Sequence, residues 1–333
     1  MIVLKNIKLA KYTTFHIGGK AEFFAEVRTV AELRETTSFA KKNKLKIFIL
    51  GGGSNILLPD EGIRGLVIKM DIRGIKFDGD RVCAGAGEMW DKIVAQTVKK
   101  GLSGVENLSL IPGTVGGAVY QNIGAYGVEL KDILESVEVF NTNDMTIKTL
   151  VNKECFFKYR DSIFQHTEGK NYIITETTLK LSREFIPNIK YPDLIKYFGS
   201  KKPSVQKMRQ AVVKIRKSKL DYPTVNIGTV GSFFKNPVIT VAEFKSLTFR
   251  FPDIIGRDFG NNQIKLFAGQ LTEKAGWKGK KLKNVGISKK HAIVLVSYKG
   301  AKSKDIINLS ELIQKSVKTK FGVKLEPEVK IML

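Results

Sequence analysis

The stretch "TVGSFFKNP", residues 229–237, sets Ser232 behind a glycine and ahead of Phe233 and Phe234, with Lys235 and Asn236 following. The serine lacks the G-x-S-x-G surroundings of a hydrolase elbow, so nothing marks it as a nucleophile. Taken alone, a serine beside a glycine is most simply bonded to backbone. "YRDSIF" carries Arg160, a permanently charged guanidinium able to grip a carboxylate through two parallel hydrogen bonds. Its neighbour Asp161 allows the plainer reading of a surface ion pair. "LEPEV" offers two carboxyls, Glu326 and Glu328. The three histidines, His16, His166 and His291, show no H-x-x-x-H spacing, and the two cysteines, Cys83 and Cys155, form no metal motif or disulfide framework. No metal site is expected.

Glycine is the other residue type whose placement suggests chemistry. "FILGGGSNILL" runs a strand into Gly51, Gly52 and Gly53, where backbone N–H groups can approach an anion unobstructed. Ser54 and Asn55 add side-chain donors, and Ile56 follows. The loop suits a pyrophosphate, yet it is neither G-x-G-x-x-G before a helix nor G-x-x-x-x-G-K-[ST]. "AGAGEMW" adds Gly85 and Gly87, and "IPGTVGGAVYQNIGAYG" adds Pro112, Gly113, Gly116 and Gly117. Three such loops in one half point to an extended dinucleotide. Gly116 and Gly117 leave room for a ring system, and Asn122, Ile123 and Gly124 offer backbone hydrogen bonds to a heterocycle edge.

Elements must hold these loops. Helices are expected at "VAELRETTSFAKKNKL", at "EMWDKIVAQTVKKG" with Trp90, Ile93, Val94 and Val98 on one face, and at "SVQKMRQAVVKIRKSK" with Met208, Ala211, Val212 and Ile215 on one face. "TVAEF" opens another through a Thr240–Glu243 capping box. "IKLFAGQLTEKAG" reads as helical throughout, and "SKDIINLSELIQKSVKTKFG" as a long helix closed by Gly322. Strands are expected at "KIFIL", "RGLVIKM", "SVEVF", "MTIKTL", "YIITETTLKL", "HAIVLVSY" and "EVKIML", with a hairpin turning at Asp78-Gly79. The class is α+β.

The 333 residues suffice for two or three domains, and 43% hydrophobic with 26% charged residues describes a globular chain. No apolar run approaches the roughly 20 residues that span a bilayer, so no membrane is expected and a cytoplasmic setting is. The net charge of +24 raises nucleic acid as a partner, but the lysines are scattered and no zinc-finger, basic-zipper or RNP signature accompanies them. A lysine-rich surface attracting small polyanions is the preferred reading, with no nucleic acid.

The quoted loops, in this order, resemble the UDP-N-acetylenolpyruvoylglucosamine reductases. "TTFHIGG", "LGGGSNILL", "AGAGEMW", "GLSGVENLSLIPGTVGGAVYQNIGAYGVEL", "YRDSIF", "KYPDL", "IRKSKL", "GSFFKNP" and "LEPEV" carry the likeness from residue 13 to 329. "KYPDL" resembles the type with an extra, tyrosine-bearing loop over the substrate. The resemblance implies the FAD-binding fold of the vanillyl-alcohol oxidase and p-cresol methylhydroxylase type, with a C-terminal substrate domain. The expected division is 1–69 for the first FAD subdomain, joined by strand 324–333, then 70–215 for the second and 216–323 for the substrate domain. Two departures stand out. Tyr12 replaces a usual Asn, and "AGQLT" replaces A-G-W-L-I through Gln270 and Thr272, both taken as packing positions.

The implied reaction uses non-covalent FAD, reduced by NADPH, to pass hydride to an enolpyruvyl group in a peptidoglycan precursor. Negative charge then builds on a carbon beside a carboxylate, so the site needs a cation, a donor and a proton. The resemblance assigns these to Arg160, Glu328 and Ser232 in turn, and Glu328 must carry a proton to donate. It implies Arg216 and Lys219 for the substrate's diphosphate. Tyr159, Tyr191, Lys235, Asn236 and His291 are further substrate candidates. A monomer is expected. A covalent-flavin oxidase on the same fold is the alternative enzyme; its relatives often tether flavin through a histidine, but His16 is read as a structural residue of the "TTFHIGG" turn.

Overall fold

The computed structural model describes residues 1–332. Two units emerge, one formed by residues 1–7, 20–53 and 63–217, the other by 8–19, 54–62 and 218 onward. Leu333, the last residue of the expected 324–333 segment, lies outside the described residues.

The first unit holds two sheets. Its first orders the strands Leu4–Lys8, Lys20–Val27, Ile63–Met70 and Ile47–Leu50, with the last three parallel. Ile63–Met70 reads as a near-continuous apolar run, as a central parallel strand buried on both faces must. Helix α1, Val30–Lys42, starts where the Thr29 hydroxyl accepts from the Glu32 N–H. The second sheet is antiparallel, in the order Thr146–Val151, Leu134–Asn141, Tyr172–Lys180, Arg81–Gly85 and Ile75–Asp78. Its hairpin pairs Asp78 with Arg81, so Gly79 and Asp80 form the turn and Gly79 takes φ +57°. Helix α2, Trp90–Lys99, buries the expected face of Trp90, Ile93, Val94 and Val98. The glycine-rich stretch contains a short helix α3, Val115–Tyr120. "KYPDL" forms helix α4, Pro192–Phe198, with proline in its first turn. Helix α5, Val205–Lys219, runs on past the end of this unit, and its Met208, Ala211, Val212 and Ile215 form a separate small core with Leu194 and Phe198 of α4.

In the second unit an antiparallel sheet orders Gly228–Ser232, Val294–Ser297, Val285–Ile287 and Lys281–Leu282. Helix α6, Val241–Arg250, opens on the expected Thr240–Glu243 capping box. The expected helix over "IKLFAGQLTEKAG" is shorter than its pattern suggested. Gln263–Leu266 is a strand paired on both sides, with Val238–Thr240 and Gly256–Gly260, and helix α7 covers only Ala268–Lys274. Strand hydrogen bonds to two neighbours outweigh a periodicity that a short apolar run cannot settle. Helix α8, Ser303–Phe321, buries Ile306, Leu309, Ile313, Val317 and Phe321, and Gly322 closes it at φ +77°. The Asp60 carboxylate accepts from the Ser303 N–H and hydroxyl at its start. Lys330–Ile331 pairs in parallel with Ile56–Leu57.

Candidate active site

In the first unit three glycine loops lie against one another. Gly116 N–H donates to Ala86 O and Val115 N–H to Glu88 O, each over 2.9 Å, stitching the 85–89 loop to the start of α3. A Cβ on Gly52 would lie 2.9 Å from Gly113 Cα, and one on Gly51 would lie 2.8 Å from Thr114 Oγ1. Gly85 and Gly87 are fixed by a different crowding, since a Cβ on either would strike the backbone of Asp71–Ile72 within 2.6 Å. Gly53, at φ +64°, turns the chain out of this unit.

Thr114, absent from the sequence-based selection, is 3% exposed, and its hydroxyl has no hydrogen-bond partner. An orphaned hydroxyl is costly where it is buried, and it faces the edge of Gly51 where a bound group can accept from it. This donor, in a cradle that side chains would fill, fits a dinucleotide phosphate. The signal available in sequence was a hydroxyl residue inside a glycine run. Pro112 is exposed at the loop tip and Gly117 is open on α3.

The first turn of α2 brackets this loop. Trp90 Nε1 donates to Leu108 O over 2.9 Å and Trp90 N–H to Gly113 O over 3.0 Å. Asp91 Oδ1 accepts from Leu110 N–H over 2.5 Å, and Arg209 of α5 grips both Asp91 oxygens at 2.7 and 2.9 Å. Burial pushes the Asp91 carboxyl up, but Arg209 and the Leu110 N–H outweigh it and hold it below the ordinary carboxylate range.

Asn122 and Ile123 do a different job from the one expected. Their N–H groups donate to Val119 O and Ala118 O, closing α3. The buried Asn122 side chain donates to Glu129 and to Lys158 O and accepts from Lys131 N–H. Its donors are engaged by protein. They fix "YRDSIF" instead. Lys158 and Asp161 exchange both backbone hydrogen bonds, which puts Tyr159 and Arg160 at the corner of a tight turn with Arg160 at φ +55°. Ser162 and Gln165 tie the turn to Tyr120 O. The Arg160 guanidinium donates to Gly124 O over 2.6 Å and lies 5.3 Å from the Tyr159 ring centroid. Arg160 is thus held at the last of the predicted cofactor residues. Tyr191 starts α4 and stacks edge-on against Tyr126 at 5.0 Å. Arg216 lies two turns along α5 from Arg209, and its Nε is buried without a partner.

In the second unit Ser232 ends a strand, paired with Val294 across a bulge that Gly231 permits at φ +78°. Phe233 and Phe234 are buried to 1% or less and meet edge to face at 5.1 Å. The chain then pairs antiparallel with "LEPEV". Glu328 N–H donates to Phe233 O over 2.8 Å, and Lys235 N–H donates to Glu326 O over 2.9 Å. Ser232 and Glu328 therefore sit on adjoining backbones although 96 positions separate 232 from 328 in the chain. Asn55, expected as an anion donor, gives its Nδ2 to Glu328 O over 3.1 Å, and its carbonyl accepts from Lys330 N–H. It positions Glu328. Ser54 and Ile56 flank it in this unit.

Asn236 Oδ1 accepts from Ala268 N–H over 2.9 Å and so satisfies the first N–H of α7 from outside the helix. The His291 ring lies on Gly269 in the same turn, where a Cβ would come within 2.7 Å of Cε1. Gln270 accepts from Ile255 N–H and donates to Asp253 O, while Thr272 donates to Ala268 O. Both residues of the "AGQLT" departure are thus held by satisfied polar contacts. His16 is exposed in a turn at φ +58°, and Lys219 ends α5 exposed. Among the described residues no His, Cys, Asp and Glu cluster could hold a metal, and no helix is long and apolar enough to cross a membrane.

Residues 21–150 match the family model of an FAD binding domain, which covers most of the glycine cradle. The fold and the site thus define an FAD-binding oxidoreductase with a distinct C-terminal α+β domain. Residues 222–332 match the C-terminal domain of UDP-N-acetylenolpyruvoylglucosamine reductase. The enzyme of that name from Flavobacterium johnsoniae is 40% identical over all of both chains, and that from Pseudomonas aeruginosa is 38% identical over 97% of each. The crystal structure of the Thermus caldophilus enzyme (MurB) covers all of both chains with TM-score 0.71 at 28% identity. The chain belongs to the UDP-N-acetylenolpyruvoylglucosamine reductase family. It is an FAD-dependent reductase of peptidoglycan precursor synthesis, with NADPH as reductant.

Proposed function

We propose that Arg160, Glu328 and Ser232 divide the work of reducing the enolpyruvyl group of UDP-N-acetylglucosamine enolpyruvate. Bound FAD, reduced by NADPH, supplies the hydride. The Arg160 guanidinium grips the substrate carboxylate, where a fixed positive charge offsets the charge that builds there. Glu328 serves the same developing enolate as its hydrogen-bonding partner. The Ser232 hydroxyl releases its proton to the substrate carbon, which is basic enough in that state to take it. The observation that carries this division is the pairing of Glu328 N–H with Phe233 O, which sets Ser232 and Glu328 on adjoining backbones.

Arg216 and Lys219 neutralise the diphosphate in this reading, and the buried, unpartnered Arg216 Nε supports an anion there. Tyr159, Tyr191, Lys235 and Asn236 contact the nucleotide sugar, with α4 and Tyr191 as the substrate-covering insert. His291, against the first turn of α7, is a further substrate contact in this reading. Cys83 and Cys155 are free thiols, which suits a reducing cytoplasm.

Ser232→Ala tests the proton assignment. NADPH should still bleach the flavin, while turnover of the enolpyruvyl substrate should fall about 10²-fold or more, the usual scale for a general acid. Ser232→Cys should keep more activity than Ser232→Ala. Equal loss in both half-reactions would contradict the assignment.

A further inference from the structure

The glycine cradle has a support that the chemistry itself does not use. Leu110 stands at φ +58°, a conformation a branched side chain rarely adopts, three residues ahead of Gly113 and four ahead of Thr114. Such backbone persists only where its surroundings hold it. Here the holding group is Asp91, whose carboxylate accepts the Leu110 N–H while Arg209 occupies both of its oxygens. Trp90 fixes the same segment at Leu108 O and Gly113 O. The whole run 108–113 is therefore bracketed by the first turn of α2, and Asp91 is its only charged contact among these. Asp91 and Arg209 are 30% and 18% exposed, so their two-bond pair is partly shielded from solvent and geometrically defined. Arg209 reaches it from α5, a helix 118 residues on in sequence from Asp91.

We propose that the Asp91–Arg209 pair is a positioning device for FAD, holding Leu110 in its left-handed conformation so that Gly113 and Thr114 face the cofactor's diphosphate. Asp91 touches no reacting atom. It acts through the loop, and Arg209 prevents its carboxylate from turning to solvent. Loss of either residue therefore loosens the cradle before it loosens the fold. The inference rests on the 112–117 loop binding FAD, and wild-type protein tests that separately.

The test is the FAD dissociation constant, read from flavin fluorescence on titrating FAD into deflavinated protein, beside a thermal melt of each variant. Arg209→Lys keeps one bond and should weaken FAD least. Arg209→Gln and Asp91→Asn remove the charge pair and should each weaken it by about tenfold, with Asp91→Ala, which also orphans Leu110 N–H, by about 10²-fold. The double variant Asp91→Asn with Arg209→Gln should be no weaker than either single change, because the two act as a unit. Val137→Ala, a cavity in the core of the same unit, is the control, and it should lower the melting temperature yet leave FAD affinity within about twofold. FAD affinity at the wild-type level in Asp91→Asn and Arg209→Gln, or weakening no greater than in the control, would overturn the inference. Wild-type protein that binds no FAD would instead sink the reading on which it rests.

Discussion

Thr114 and Glu106 show what a single buried polar group can be asked to do. The Thr114 hydroxyl has no partner, so the cofactor is expected to supply one. Thr114→Val keeps the shape and removes the donor, and should weaken FAD by about 10- to 100-fold, the range of one hydrogen bond to a charged group. A fluorescence titration measures it, and unchanged affinity would mean that the hydroxyl is not used. Glu106 is the opposite case, 3% exposed and already bonded to the Gly104 N–H over 2.7 Å. Burial pushes its carboxyl above the ordinary value of 4.5, and the backbone hydrogen bonds to it only partly offset this. A raised pKa means that the folded state holds the proton longer than the unfolded state does. Stability is then full below the ordinary value and falls as pH rises from there through the folded value. Glu106→Gln removes that fall and keeps the acceptor. Its melting temperature relative to wild type should rise between about pH 4 and pH 7, the span above an ordinary glutamate pKa. A constant difference across that span would show that Glu106 does not titrate with folding.

Among elements, those whose cause is local were legible in the sequence. Helices α2, α5 and α8 carry apolar stripes at helical spacing, while the Thr240–Glu243 box opens α6 and Gly322 closes α8 through contacts within a few residues. The strands Gly228–Ser232 and Gly256–Gly260 were not legible, because each is short and glycine-bearing and exists only through its partners. The same boundary runs through the site. The glycine loops announce themselves, whereas Asp91 matters because of Arg209, and Asn55 because of Glu328, which stands 273 residues away. Helix α7 is the most informative element here, since "AGQLT" breaks the familiar pattern and the helix still forms with Asn236 accepting its first N–H. Asn236→Ala should destabilise by about 1 kcal/mol, because it leaves the first N–H of α7 without its hydrogen-bond acceptor. It should also raise KM for the nucleotide substrate if the amide nitrogen faces it. A change in melting temperature with KM unmoved would leave Asn236 a structural acceptor and nothing more.

At the scale of the molecule the excess of cations has to be accounted for. There are 56 lysines and arginines against 32 acidic residues, so no arrangement of ion pairs can neutralise the surface. Many of the pairs that do form, such as Arg81–Glu135 and Lys180–Asp80, are exposed and contribute little to stability. A broad positive field still acts on the enzyme's own ligands, because NADPH and a nucleotide-diphosphate sugar are both polyanions. Such a field speeds encounter without touching the chemical step, and it is screened beyond about 8 Å at physiological ionic strength. Raising salt should therefore lower kcat/KM for NADPH and for the substrate by about tenfold or more, while kcat measured at saturation stays nearly constant. A parallel fall of kcat with kcat/KM would place the salt effect on the fold or the chemistry rather than on encounter, and the surplus charge would then have no role in this reaction.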